Sequence, residues 1–483
     1  MPTKNLFSFE YSYLSLPETF YSLTQPSSLS KAEIVLFNDE LSKAVFNSEE
    51  VSVDSFSIFL KNQLNNIPNC YAQAYAGHQF GHFTKLGDGR AIMIGEQITE
   101  NKERLDIQLK GSGRTSYSRN GDGKATLKAM LREYLISEAI YNLNIPSSRS
   151  LAIIKTNETI FRETKQEAAT LVRVMKSHIR VGTFEFAAHL GTTEDVNALT
   201  SYTIKRLYPQ IEKDENPTIS LLKKVMLNQI ELVVNWMRVG FIHGVMNTDN
   251  TSISGETFDY GPCAFMNVYH PATVFSSIDQ NGRYAFGNQP KIIQWNIIRF
   301  AETLLPIIHK DHEQSIVLAQ NTIDEFNGIW TEKYYEMMLN KIGIENHNPE
   351  LYPLVDELLS LMQIHKLDYT NTFLALSKEV PLDNNPFNST EFESWLKNWN
   401  EVIVNSNGFE RAKQLMKSNN PVFIPRNHLV EAALDEAATG NTILFERLLN
   451  VVSKPYDYQA NNHEYTKPSD FDFENKFQTF CGT

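Results

Sequence analysis

Two short segments of this chain concentrate residue types suited to phosphate and metal chemistry. One is FIHGVMNTDN, residues 241–250, and the other is FDYGPCAF, residues 258–265. Asn250 and Asp259 offer an amide and a carboxylate oxygen, the hard ligands that Mg²⁺ takes up alongside phosphate oxygens. Asp249 stands directly before Asn250 and is a carboxylate able to take a proton. Upstream lie two glycine-rich stretches, KLGDGRAI (85–92) and KGSGRTSYSRNGDGKA (110–125). Glycines let the backbone approach a phosphate and turn several N–H groups toward it. Alone, such loops are more often plain turns. Neither has the GxxxxGK[ST] spacing of a Walker loop, and no parallel βαβ pattern surrounds them.

The order of these residues says more than any one of them. Lys110 ends the apolar run LDIQLK, on a face with Asp106 and Gln108, and Glu133 lies on the helix that follows. Protein kinases pair a strand lysine with a helix glutamate to hold ATP phosphates. They then place a His-x-Asp motif after a buried helix, a metal-binding Asn five residues on, and the Asp of Asp-Phe-Gly as second ligand. His243, Asn250 and Asp259-Tyr260-Gly261 fit that series. The position expected to carry the catalytic Asp is Val245, which cannot accept a proton. The usual base for γ-phosphate transfer is therefore missing, and Asp249 is the nearest substitute.

The elements that must position these groups read as an α+β chain. AIMIGE (91–96), RLDIQLK (104–110), LAIIK (151–155) and TLVRVM (170–175) are short apolar runs bounded by turn residues, hence strands. Residues 125–143 predict one helix among them, ending before Pro146. From about 186 the character turns helical, with mostly buried helices predicted over 219–239 and 295–308 and long amphipathic stretches over 310–440. Residues 1–60 read as irregular, and the polar tail from about 453 as extended over the surface. A strand-rich part followed by a helical part is the expected arrangement.

Composition narrows the partners. The formal net charge of −13 argues against a surface built to grip nucleic acid or an anionic membrane, while leaving room for a local basic pocket. No run reaches the roughly 20 apolar residues of a membrane span. MPTKNLFSFEYSYLSL lacks the apolar core of a secretory leader. Cys70, Cys263 and Cys481 form neither a disulfide framework nor a zinc spacing, which points to a reducing compartment and the cytoplasm.

YAGHQFGHFTKLGDGRAIMIGE, LDIQLKGSGRTSYSRNGDGKA, REYLISEA, HGVMNTDN, DYGP and IPRNHL together resemble the selenoprotein O family, also called the YdiU family. The match runs in one order from about residue 70 to the C-terminal end. It implies a protein-kinase-like bilobal fold: an N-terminal region (1–70) packing on the lobes, a strand-rich N-lobe (71–185), a helical C-lobe (186–450) and a C-terminal tail (451–483). It implies ATP bound inverted, with the γ-phosphate inward and the α-phosphate facing the acceptor. The activity implied is transfer of AMP to Ser, Thr or Tyr hydroxyls of proteins, with release of pyrophosphate and with Mg²⁺ or Mn²⁺ as the metal.

Carried over by position, the resemblance makes Asp249 the proton acceptor and Asn250 and Asp259 the metal ligands. Lys110 becomes the phosphate-contacting lysine with Glu133 its partner. Gly87, Gly89 and Arg90 form the first nucleotide-contacting loop, and Asp122 and Gly123 the second. Arg173 and Arg180 take the inward γ-phosphate, a role that suits the arginine fork. Ser116 and Lys124 depart from the usual proline and arginine without removing a ligand. A kinase of atypical type with Asp249 as base, and a nucleotide-binding scaffold without chemistry, are the competing readings. The arginine pair argues against the first, and the intact Asn250 and Asp259 against the second.

Other candidates read as structural. His78 and His82 have a metal-compatible spacing but no third ligand. Trp295, Trp395 and Trp399 read as core or docking anchors. A bond between Cys481 and Cys263 would tie the tail across the site mouth, provided their Cα atoms come within about 7 Å.

Overall fold

A computed structural model describes residues 7–480 except 30, 379–380, 383–385, 388 and 407. Cys481 lies outside the described residues, so its pairing with Cys263 has no structural description. Cys70 and Cys263 are both buried.

The strand signals become one antiparallel sheet. Its members are β1 (Tyr21–Leu23), β2 (Glu33–Phe37), β3 (Tyr71–Gln73), β6 (Ala91–Ile98), β7 (Arg104–Lys110), β8 (Ala125–Thr126), β9 (Arg149–Phe161) and β10 (Lys165–Met175). The order is β1-β3-β6-β7-β10-β9-β2, with β8 added beside β10. A separate hairpin, β4 (Ala76–Gln79) with β5 (His82–Lys85), stands off the sheet.

Alternation along the strands shows why the sheet is covered on both faces. Ile92, Ile94, Ile107, Leu109, Val172 and Val174 join one apolar cluster with helices α1 (Asp39–Phe46) and α2 (Val53–Asn62). Met93, Ile153, Ala169 and Leu171 join another with helix α3 (Leu127–Asn142). The N-terminal region is thus not irregular. Asn38 caps α1, and Ser52 and Ser55 close a capping box on α2. β1 and β2 complete the sheet.

The helical part begins with α4 (Val181–Leu190), α5 (Thr193–Leu207) and α6 (Pro217–Arg238). A two-residue ribbon, β11 (Phe241–Ile242) paired with β12 (Ala264–Phe265), follows α6. Helix α7 (Gln289–Ile308) packs against α6, and further helices follow among the described residues between 312 and 452. Trp395 and Trp399 are fully buried there, their indole N–H groups donating to the carbonyls of Leu354 and Ile342 at 2.8 Å each. The tail is folded rather than merely extended: a 3₁₀ segment (Ala460–Thr466) precedes a short helix (Phe471–Lys476). The chain is therefore a mixed α/β protein with an antiparallel sheet and many helices. Among the described residues no helix is long and apolar enough to cross a membrane.

Candidate active site

The register of the sheet sets the first half of the site. Arg173 on β10 lies opposite Gln108 on β7, and Leu171 opposite Lys110. Gln108, Lys110 and Arg173 are buried, and Glu133 of α3, the helix packed over this part of the sheet, meets Lys110 and Arg173. Lys110 Nζ donates to carboxylate oxygens of both Glu133 and Asp259. Arg173 Nη2 donates to Glu133 Oε2 at 2.8 Å and to Asp259 Oδ1 at 2.7 Å. Two cations and two carboxylates thus share one buried cluster.

Electrostatics follow from that sharing. Burial holds the Lys110 ammonium below its ordinary pKa, with Asp259 and Glu133 pulling the other way. Burial pushes Glu133 and Asp259 up, but Lys110 and Arg173 outweigh it. Both carboxyls stay below their usual range, Asp259 well below. Burial works against the Arg173 charge, yet Asp259 and Glu133 hold its pKa above the ordinary value.

The β11–β12 ribbon sets the second half. It pins both ends of the segment that carries the two motifs, so Asp249, Asn250 and Asp259 come from one constrained loop. A 3₁₀ turn, Thr248–Asn250, presents Asp249. Asn250 Nδ2 donates to the Val245 carbonyl at 3.1 Å, leaving the amide oxygen as its ligand-type atom. Asp259 adopts φ +65°, a left-handed conformation uncommon outside glycine and found where a site demands a particular side-chain direction. The loop is anchored through His243, whose Nε2 lies 3.1 Å from the Phe258 carbonyl oxygen.

Asp249 is 8% exposed, and its Oδ1 is buried with no hydrogen-bond partner. Burial pushes its carboxyl up to about 7, with Arg180 the main opposing charge. Arg180 lies under the loop. Its Nη1 donates to the Asp249 carbonyl at 3.3 Å, its Nε donates to the His178 carbonyl at 3.2 Å, and its guanidinium stacks 4.0 Å from the Tyr75 ring centroid.

These groups line one cavity of about 1300 Å³. Gly89, Arg90, Lys110, Glu133, Arg173, Arg180, Asp249, Asn250 and Asp259 are all on its wall. Gly87, Asp122 and Gly123 are not. Gly87 backs onto the Tyr117 ring. Asp122 accepts two 3.0 Å bonds from Arg162, which does line the cavity, so it sits behind the rim. Gly123, at φ +69°, supports the second loop: a Cβ there would lie 2.0 Å from the Gly113 carbonyl oxygen.

The wall also holds residues the sequence reading passed over. Asp88 sits between Gly87 and Gly89. It accepts from Gln73 N–H at 3.2 Å, lies 3.7 Å from Arg180, and is raised to about 6 by burial. Its place inside LGDGR was the available signal. Asp470, Phe473, Phe477 and Phe480 bring the tail to the same cavity. Thr479 anchors that stretch, its Oγ1 donating to the Pro262 carbonyl at 2.7 Å. The His78–His82 spacing belongs to a hairpin: His78 faces Phe83 and His82 faces Gln79.

Among the described residues no group of three or more His, Cys, Asp and Glu side chains forms a metal cage. An Asn–Asp pair of oxygen donors nevertheless fits Mg²⁺ or Mn²⁺, which complete their shells with phosphate oxygens and water.

One cavity joins a buried lysine and two buried arginines to a carboxylate with an unpartnered oxygen and to two further oxygen donors, a donor set whose chemistry suits phosphate. The chain belongs to the SelO family, whose model, described as protein adenylyltransferase SelO, matches residues 4–453. It is similar over its length to proteins named protein nucleotidyltransferase YdiU. The one from Bacillus cytotoxicus is 49% identical over 483 residues, 99% of this chain and 98% of that protein. That from Clostridium botulinum is 49% identical with the same coverage, and that from Bacillus thuringiensis 49% identical over 98% of this chain and 97% of its own length. The chain is accordingly an enzyme of the nucleotidyltransferase class.

Proposed function

We propose that this enzyme moves AMP from ATP onto Ser, Thr or Tyr hydroxyls of proteins and releases pyrophosphate. The observation that carries the reading is the buried, unpartnered Oδ1 of Asp249. Asp249 lines the cavity, and a carboxylate with an unpartnered oxygen there is suited to take the proton of an acceptor hydroxyl. Val245 offers no carboxylate at the position a kinase uses, which removes the ordinary route to γ-transfer. Arg173 and Arg180 supply fixed cationic forks for the far end of the triphosphate, so that the α-phosphate meets the acceptor.

On this reading Asp249 takes the hydroxyl proton as the oxygen attacks the α-phosphorus, and the bond to the β-phosphate oxygen breaks. Positioned base catalysis of this kind contributes roughly 10²–10⁴-fold. Lys110, Arg173 and Arg180 stabilise the charge on the departing pyrophosphate. Asn250 and Asp259 would hold Mg²⁺ or Mn²⁺, which neutralises phosphate charge when bound. Gly89 and Arg90 line the nucleotide path, with Gly87, Asp122 and Gly123 shaping it from behind. Glu133 keeps Lys110 in place.

The proposed architecture is kinase-like and bilobal: residues 71–185 form the sheet-bearing lobe, 186–450 the helical lobe, 1–70 a region packed on them, and 451–483 a tail. The proposed setting is the cytoplasm, with proteins rather than nucleic acid or membrane as partners. Intact-mass measurement of candidate acceptors after incubation with ATP and Mg²⁺ tests the reading. A gain of one adenylyl group supports it, and a gain of one phosphate group refutes it.

A further inference from the structure

The Asp249 carboxylate oxygen Oδ1 makes no hydrogen bond, so no bond of its own fixes its direction. Something else must. Thr248, the preceding residue, is fully buried. Its Oγ1 donates to Glu185 Oε2 at 2.6 Å and accepts from the backbone N–H of His78 at 2.7 Å. Glu185 Oε1 lies 2.5 Å from His78 Nδ1 and so closes a three-residue ring of contacts. The His78 imidazole is braced edge-on by Trp295 at 5.3 Å and Phe83 at 5.5 Å. One residue further back, Asn247 Oδ1 accepts from Phe80 N–H at 3.1 Å and from the Tyr284 hydroxyl. The β4–β5 hairpin thus holds both residues that lead into Asp249.

The same hairpin presses on Asp249 itself. A Cβ at Gly77 would lie 2.2 Å from Asp249 Oδ1 and 2.8 Å from its Cβ and Cγ. Only a residue without a side chain leaves the carboxylate where it is. Glu185 sits little more than one turn into α4, the helix that Arg180 opens, so one element carries both the phosphate-binding arginine and the carboxylate that orients the loop.

We infer that His78, Glu185 and Thr248 are positioning residues that aim the Asp249 carboxylate at the acceptor hydroxyl, with Gly77 admitting it. The inference rests on the reading of Asp249 as proton acceptor. It explains the AGHQFG stretch, 76–81, as part of the reaction machinery rather than as a metal site or a plain turn. A displaced general base loses rate steeply, about 10²-fold for a shift near 1 Å, without losing nucleotide affinity.

The test compares Thr248→Val, which keeps shape and removes the hydroxyl, with Thr248→Ser, which restores it. Gly77→Ala and Glu185→Gln serve as independent variants. The readouts are kcat, KM for ATP, calorimetric ATP affinity and melting temperature. Thr248→Val, Glu185→Gln and Gly77→Ala are expected to lower kcat by about tenfold or more with ATP affinity changed by less than about twofold, and Thr248→Ser to stay within about threefold of the parent. The inference is overturned if Thr248→Val keeps its kcat, if kcat and ATP affinity fall together, or if Ser fails to rescue. If the unaltered enzyme transfers phosphate instead of AMP, the functional reading fails. The Val-to-Ser comparison, made on whichever group is transferred, then still decides the positioning role.

Discussion

Arg180 donates from Nη1 to the main-chain oxygen of Asp249, 3.3 Å away. The group assigned to the inner end of the triphosphate and the group assigned to the acceptor proton are therefore bonded to each other through backbone. The contact couples Arg180 to the backbone of Asp249, while the direction of the carboxylate is set by Gly77 and Thr248.

That coupling shapes the first prediction. Arg180→Ala is expected to weaken ATP by about 10- to 100-fold, the loss of one or two charge-assisted hydrogen bonds. ADP and AMP are expected to change by less than about threefold, because on the inverted reading neither has the phosphate that Arg180 holds. Isothermal titration with the three nucleotides measures this. An equal loss for all three would make Arg180 a prop for the Asp249 loop and nothing more.

Asp259 separates metal binding from architecture. Breaking a fully buried ion pair costs about 3–5 kcal/mol. The Asp259 side chain is 29% exposed, and Glu133 still faces Lys110 and Arg173 when it is lost. For Asp259→Asn the expected destabilisation is therefore about 1–2 kcal/mol, a melting shift of a few degrees. Transfer is expected to fall about 10²-fold or more, as for loss of a principal electrostatic group. Near-parental turnover in a folded Asp259→Asn protein would remove this residue from the metal assignment.

A third expectation concerns pH and lies away from the cavity. Burial raises the Glu256 carboxyl from 4.5 to about 7, although it accepts from Ser254 Oγ at 2.7 Å and Lys176 N–H at 3.0 Å. The folded state holds this proton more tightly than the unfolded chain. The resulting stabilisation is complete below about pH 4.5 and is lost as pH rises to about 7. Glu256→Gln keeps the two contacts and removes the titration. Its stability relative to the parent is expected to improve across that window, by at most about 3 kcal/mol. Urea melts at several pH values check this, and a difference independent of pH would mean that Glu256 is ionised in the folded protein.

What was legible in the sequence tracks how local the signal was. AIMIGE and LDIQLK are strands because their apolar residues leave no other partner, and they fall inside β6 and β7. LAIIK and TLVRVM mark only the buried stretches of β9 and β10. The hairpin runs on through 156–167, where polar, exposed residues carry no strand pattern. Helices α1 and α2 were missed although Asn38 and Ser52 are cap residues, because aromatic and polar residues mixed over 1–60 hide the periodicity. The loop residues Asp249, Asn250 and Asp259 could be named from spacing. Arg173 could not, since a strand arginine shows its purpose only when register sets it opposite Gln108. Glu185 and His78 meet Thr248 across long sequence separations, and no spacing rule reaches them.

The proposed reaction transfers AMP, with Asp249 taking the acceptor's proton. Parallel reactions with α-labelled and γ-labelled ATP, in the parent and in Asp249→Asn, address it directly. Protein-bound label is expected from α-labelled ATP only, with pyrophosphate as co-product and loss of both by about 10²-fold or more in Asp249→Asn. Protein-bound label from γ-labelled ATP with accumulation of ADP would contradict it.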